Sequence, residues 1–225
     1  MLAKLFGSAL YGVEAFRITI EVSVSNGLGY HLTGLPDDAI KESLSRIEVA
    51  IKSNGFHMPR TKLVINLSPA GIHKHGTAFD LPITLGILLA SDQLNDLDKL
   101  KDYIIIGELG LDGTLYPVRG ALCMAYQAKT DGYKGIVLPA ANASEAASVK
   151  GLHVYPVKHL KEAIAFSNGD GAIHPFRGKR LIQMADSDNR LDFKDVRGQQ
   201  SVKRALEIAA VTNLANQLDH NNGLL

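Results

Sequence analysis

His73, Lys74 and His75 stand in a row within the stretch SPAGIHKHG, and imidazoles one residue apart are the first place to look for metal or acid–base chemistry. A cation there needs a third ligand, and no CxxC, HExxH or carboxylate pair accompanies them, so the metal assignment is none. A solvated loop, or a contact with an anion or a partner, accounts for the same residues. Nucleophilic catalysis needs a serine, threonine or cysteine beside a base. Cys123 falls among Ala121, Leu122 and Met124, the setting of a neutral packed thiol, and Ser68 precedes Pro69 as a strand-end cap. Gly107, Gly110 and Gly113 are spaced for turns, and neither GxGxxG nor GxxxxGK[ST] occurs, so no phosphate cradle is visible. Arg60, Lys62, Lys74, His73 and His75 gather near one strand end, either as a basic patch or as ordinary solvated charge.

The elements that must hold these residues follow from periodicity. Ile18, Ile20, Val22 and Val24 alternate with polar residues up to Asn26-Gly27, and Leu28, Tyr30 and Leu32 follow, which predicts a β-hairpin over 17–34. Leu35-Pro36-Asp37-Asp38 supplies a stop and a capping carboxylate for a helix carrying Ile40, Leu44, Ile47 and Ile51 at helical spacing up to Gly55. KLVINL reads as a short buried strand, and FDLPITLGILLA as an apolar helix with Pro82 in its first turn. YIIIGELGLDGTLYPV holds a buried strand and then a hairpin at Asp112-Gly113, and a helix runs from about Gly120 to Thr130. The strand GIVLP, a short helix with Asn142 and Glu145 at capping-box spacing, the strand LHVYP and a helix closed by Asn168-Gly169 complete the unit. This order predicts an α/β fold of the α+β two-layer kind, with a mixed sheet.

The 225 residues carry 24 basic and 23 acidic side chains, so net charge predicts no partner, and 46% hydrophobic residues exclude a disordered tail. A single cysteine excludes a disulfide framework and a four-thiolate zinc site. Gly7, Gly12, Glu14 and Arg17 interrupt any signal-like run at the N-terminus, and the longest apolar run, Leu81 to Ala90, falls short of the roughly 20 residues a bilayer demands. The expectation is a cytoplasmic protein with no membrane partner.

The expected organisation is a domain over 1–168, a linker over 169–192 and the truncated start of a second domain over 193–225, with a helix after Gly198 bearing Val202, Leu206, Ala209 and Asn213. The linker carries Gly169, Gly171, Pro175 and Gly178 with Arg177, Lys179, Arg180 and Arg190.

Taken together, GLPDDAIKESLSRIEVAIKSNGF, INLSPAGIHKHGTAFDLPITLGIL, GELGLDGTLYPVRGAL and DFKDVRGQQSVKRALEIAA resemble the Mg-chelatase-related AAA+ family (YifB/ComM) over essentially residues 1 to 210. The resemblance implies a Lon-protease-like fold, akin to the second domain of ribosomal protein S five, joined to a hexameric AAA+ motor that binds ATP and Mg and acts as a DNA helicase in branch migration. It also implies where a Ser-Lys dyad would sit: aligned on the Lon-like motifs, Ala78 takes the serine position and Leu122 the lysine position, so neither residue can attack or ionise. Thr77, with Lys74 or Lys129, is the remaining route to a cryptic peptidase. Val196, Gly198 and Gln199 match the stretch that lies near the nucleotide base in an intact AAA+ domain, but the chain runs on as VTNLANQLDHNNGLL without a Walker A loop. Arg60, Lys62, Lys74 and Arg119 are the candidate nucleic-acid contacts, while Tyr116 replaces a common arginine. The expected function is therefore a non-catalytic accessory domain. A Lon-like peptidase or a magnesium-chelatase-type subunit is the alternative.

Overall fold

Ala3, Leu5, Gly7 and Ala9 recur at every second position, and in the computed structural model they point one face of strand β1 (Leu2–Tyr11) into the core. The structure describes residues 2–12, 14–94, 99–169, 173–177 and 198–208. Gly12, at φ +62°, turns the chain, and β2 (Glu14–Ser25) returns antiparallel with Tyr11 opposite Glu14.

The hairpin expected across Asn26-Gly27 does not form. Instead β2 pairs antiparallel with β4 (Lys62–Ser68), matching Ile20 to Leu67, Val22 to Ile65 and Val24 to Leu63. The four-residue β3 (Tyr30–Thr33) lies parallel on the outer side of β4. Register decides between the two pairings: seven consecutive pairs bury two full apolar rows, whereas β3 has only Leu32 to pack against the core.

Helix α1 (Asp38–Ser53) buries Ile40, Ile47 and Ile51, as their spacing requires. Helix α2 (Asp80–Ala90) is buried on every side and passes so close to the sheet that a Cβ on Gly86 would stand 2.6 Å from Val22 Cγ2. The second half supplies β5 (Tyr103–Ile105), the hairpin β6 (Glu108–Leu109) and β7 (Leu115–Tyr116), α3 (Ala121–Thr130), β8 (Gly135–Pro139), α4 (Ala143–Ala146), β9 (His153–Val157) and α5 (Leu160–Asn168). The main sheet has seven strands in the order β3-β4-β2-β1-β5-β8-β9, parallel through β1, β5, β8 and β9 and antiparallel at β1–β2 and β2–β4. The fold is mixed α/β, as predicted.

Two apolar clusters sandwich this sheet. One gathers α1, α2 and α5 against it; the other gathers α3 and α4 on the opposite side, over β5, β8 and β9. The two-layer expectation therefore holds for the β3-β4-β2 half, while the other half has helices on both faces. The free edge of β9 is partly closed by the Phe176 N–H, which donates to the Val154 carbonyl at 2.7 Å.

The chain divides into two units, Met1–Ile182 and Gln183–Leu225, at a point inside the stretch expected to be a linker. In the second unit, residues 200–208 are helical; Val196, Ala209 and Asn213 lie outside the described residues, as do Lys179, Arg180 and Arg190 of the linker. Among the described residues no helix is long and apolar enough to cross a membrane.

Candidate functional site

A cleft of about 420 Å3 opens where the loop before α2 faces the β6–β7 hairpin and the start of α3, lined by His75, Thr77, Ala78, Glu108, Arg119 and Met124 among others. Each wall has a local cause. Gly76, at φ +87°, bends the loop and donates its N–H to Asp37 Oδ2 at 2.9 Å. The other oxygen of Asp37 accepts from Ile40 N at 2.9 Å and so caps α1. Behind the loop, Gly107 N donates to the Ala78 carbonyl and Leu81 N to the Gly107 carbonyl, which locks the start of α2 against the hairpin.

The opposite wall is pinned by residues expected to do something else. Asn142 and Glu145 do not form a capping box on α4. The buried Asn142 side chain instead accepts from Val118 N at 2.9 Å and donates to Val118 O at 2.8 Å, while Glu145 accepts from Leu122 N at 3.0 Å at the first turn of α3. The 3-10 turn Ala140–Asn142 leads directly into α4, so the Asn142 backbone is already helical and its amide is free to reach across.

The polar heart of the cleft is the Thr77 hydroxyl, which donates to Glu108 Oε2. Below it Asp80, 1% exposed, accepts from Arg46 Nε and Nη2 at 3.2 Å and from Leu109 N at 3.2 Å. Burial raises the Asp80 carboxyl to about 6; the Arg46 guanidinium and the Leu109 amide oppose that rise, and Glu108 adds to it. Glu108 and Asp80 carry no motif. The one sequence signal for Asp80 is an acidic residue opening the otherwise apolar run DLPITLGILLA.

Lys74 departs most from expectation. It is 0% exposed, and its ammonium donates to the carbonyls of Gly34, at 2.7 Å, and Pro69. Its own backbone bridges to Leu35 and Asp37, which draws the side chain inward, and burial pulls the amine below the ordinary lysine value. It therefore faces neither Thr77 nor a phosphate. The two positions matched to a Ser-Lys dyad also part company: Ala78, 8% exposed, lines this cleft, whereas Leu122, 40% exposed, lines a separate apolar groove with Phe16, Cys123, Tyr126, Lys129 and Val149. Arg119 lies on the cleft rim, Arg60 lies in a different depression beside Asp92, and Lys62 opens β4, so the four candidate nucleic-acid contacts do not share one surface. Among the described residues no three His, Cys, Asp or Glu side chains gather to hold a metal ion. In the second unit Gly198 and Gln199, at φ +74° and +53°, lead into the helix over 200–208, and these described residues alone do not enclose a nucleotide base.

Residues 20–142 match the family described as subunit ChlI of Mg-chelatase. The chain is 38% identical over 213 residues to the competence protein ComM of Haemophilus influenzae and 39% identical over 211 residues to the YifB protein of Salmonella typhimurium, covering 93% of its own length in each case. It spans 41% and 40% of those two proteins. An archaeal Lon protease from Methanocaldococcus jannaschii is 25% identical over 175 residues, 71% of this chain and 26% of that protein.

Proposed function

The chain belongs to the Mg-chelatase ChlI family and is homologous to ComM and YifB, and from that premise we propose that it serves as a non-catalytic accessory domain of a ComM-like AAA+ ATPase. On this reading the longer protein is a DNA helicase of branch migration and recombination, hexameric and cytoplasmic. Its motor domain holds ATP and Mg, with Val196, Gly198 and Gln199 contributing to the base pocket once that domain is whole. The observation that supports the reading lies in the cleft: Ala78, the residue that the Lon-like motif alignment matches to the nucleophilic serine, offers only a methyl group there, and the amine of Lys74 is spent on two backbone carbonyls. With residues 1–225 in hand, ATP turnover and cleavage of an unfolded protein substrate are measured together. No turnover of either is expected, and robust hydrolysis of one would overturn the proposal.

The contact between Thr77 and Glu108 favours one second reading, a threonine hydrolase with a carboxylate base. A carboxylate base takes the hydroxyl proton, but the attack also needs donors aimed at the developing oxyanion. Labelling of Thr77 by a fluorophosphonate probe would promote that reading.

A further inference from the structure

Strands β3, β4, β2 and β1 turn their apolar residues toward α1 and α2, so their alternate residues form the opposite face of the sheet. On that side α3 and α4 cover β5, β8 and β9, and their cluster reaches the β1–β2 hairpin at Phe6, Leu10 and Ala15. Within the first unit no described helix covers the remainder of the face. Its floor is mostly polar: Thr19 and Ser23 from β2, Asn66 and Ser68 from β4 with Val64 between Asn66 and Lys62, and His31 and Thr33 from β3. Thr33 Oγ1 donates to Asn66 Oδ1 at 2.9 Å, and Asn66 Nδ2 donates to Glu21 Oε2 at 2.9 Å and Ser68 Oγ at 3.0 Å.

Cations frame this floor. Lys4 Nζ and the Arg17 guanidinium lie 5.9 and 5.7 Å from the centroid of the half-buried Phe6 ring, and Lys62 stands at the far end of β4. Register fixes their spacing. Lys4 is level with Glu21, which is level with Asn66; Arg17 lies four residues from Glu21 in one direction, and Lys62 is level with Ser25, four residues in the other. At about 3.4 Å per residue the backbones of Arg17 and Lys62 each lie roughly 14 Å along the strands from the level of Lys4 and Glu21, while the Lys4 and Arg17 side chains converge on the Phe6 ring. Glu21 is the one carboxylate on these strand positions, and it is engaged by Asn66.

We infer that this open face binds single-stranded nucleic acid, with Lys4, Arg17 and Lys62 holding its phosphates. The inference rests on the reading of the chain as part of a DNA-processing protein and gives that reading a location. Charge complementarity selects a polyanion, and the flat floor selects an unpaired strand: no described helix of the first unit rises from this face to enter a groove, whereas the hydroxyls and amides between the cations meet splayed base edges.

The test is fluorescence anisotropy of residues 1–225 with a labelled oligothymidine and a duplex of equal length, at 50 and 200 mM salt. Three phosphate contacts give a salt slope near −2, so affinity for the single strand falls roughly 20-fold over that range. Lys4→Ala, Arg17→Ala and Lys62→Ala each weaken binding and flatten the slope by about 0.7, and the triple variant binds at the detection limit. Arg17→Lys retains most of the affinity. Glu21→Gln, which keeps an acceptor for Asn66, tightens binding several-fold, a gain that loss of folding cannot mimic. Lys41→Ala, on α1, serves as the unchanged control. Wild-type binding by the triple variant, a preference for duplex, or no binding at 50 mM salt would overturn the inference. Any of these leaves the accessory-domain reading standing, because that reading is decided by the turnover assays.

Discussion

A single carboxylate, that of Asp37, ties the first helix to the cleft: one oxygen caps α1 at Ile40 N and the other accepts the N–H of Gly76, each at 2.9 Å. The loop bearing His75, Gly76 and Thr77 is thus held by the same group that starts α1. Asp37→Ala is expected to cost about 1–2 kcal/mol, near the upper range for a lost helix cap, because two donors lose their acceptor. Asp37→Asn should recover most of it. Urea unfolding measures both, and hydrogen exchange at the Gly76 amide reports whether the cleft loop loosens first.

Asp80 makes stability depend on pH with a definite sign. Its folded value, about 6, lies above the 3.8 of the unfolded chain, so the folded state holds the proton more tightly. The contribution is complete below about pH 4 and is lost as pH rises through about 6. Measured against Asp80→Asn, the wild-type chain should lose up to about 3 kcal/mol between pH 4 and pH 7. Arg46→Met should enlarge the loss, because the guanidinium opposes the rise. Urea midpoints of the three proteins at pH 4.5 and pH 7.5 check the order.

Lys74 behaves in the opposite sense. Burial lowers its folded value below 10.5, so the unfolded chain holds the proton more tightly, and stability relative to Lys74→Met should climb as pH rises toward 10.5. At neutral pH Lys74→Ala should be the more damaging change, at about 2–4 kcal/mol, because it leaves a void and two unpaired carbonyls. Thermal melts at pH 7.5 and pH 9.5 distinguish the variants.

Ser8 and Gly120 give a contrasting pair. The buried Ser8 hydroxyl has no hydrogen-bond partner among the described residues, so Ser8→Ala should leave stability unchanged or raise it by up to about 1 kcal/mol. Gly120 precedes α3 at φ +74°, and a Cβ there would stand 2.3 Å from Leu10 Cδ1. Gly120→Ala should therefore cost about 2 kcal/mol or more, by strain and by displacing Leu10 from the cleft wall. Paired melts settle both.

How far the sequence discloses this protein depends on whether a feature is local. Ile40, Leu44, Ile47 and Ile51 mark α1 and the apolar run after Asp80 marks α2 because helical periodicity and capping are written in neighbouring residues. The hairpin at Asp112-Gly113 is equally local, and Asp112 completes it by accepting from Thr114 N at 2.9 Å. Pairing partners are not local. Asn26-Gly27 carries a hairpin signal as strong as any in the chain, yet β2 finds its partners in β1 and β4, where the apolar rows match. The cleft shows the same limit: the meeting of Thr77 with Glu108, and the inward turn of Lys74, depend on strands and loops brought together from more than thirty residues apart.

The most direct test of the central claim, that this Lon-like scaffold cuts no bond, is intact-mass spectrometry of residues 1–225 after prolonged exposure to a fluorophosphonate, with a native Lon protease treated in parallel. The account predicts the unmodified 24.3 kDa chain while the protease is labelled. A stoichiometric adduct on Thr77, lost in Thr77→Ala and suppressed in Glu108→Gln, would contradict it.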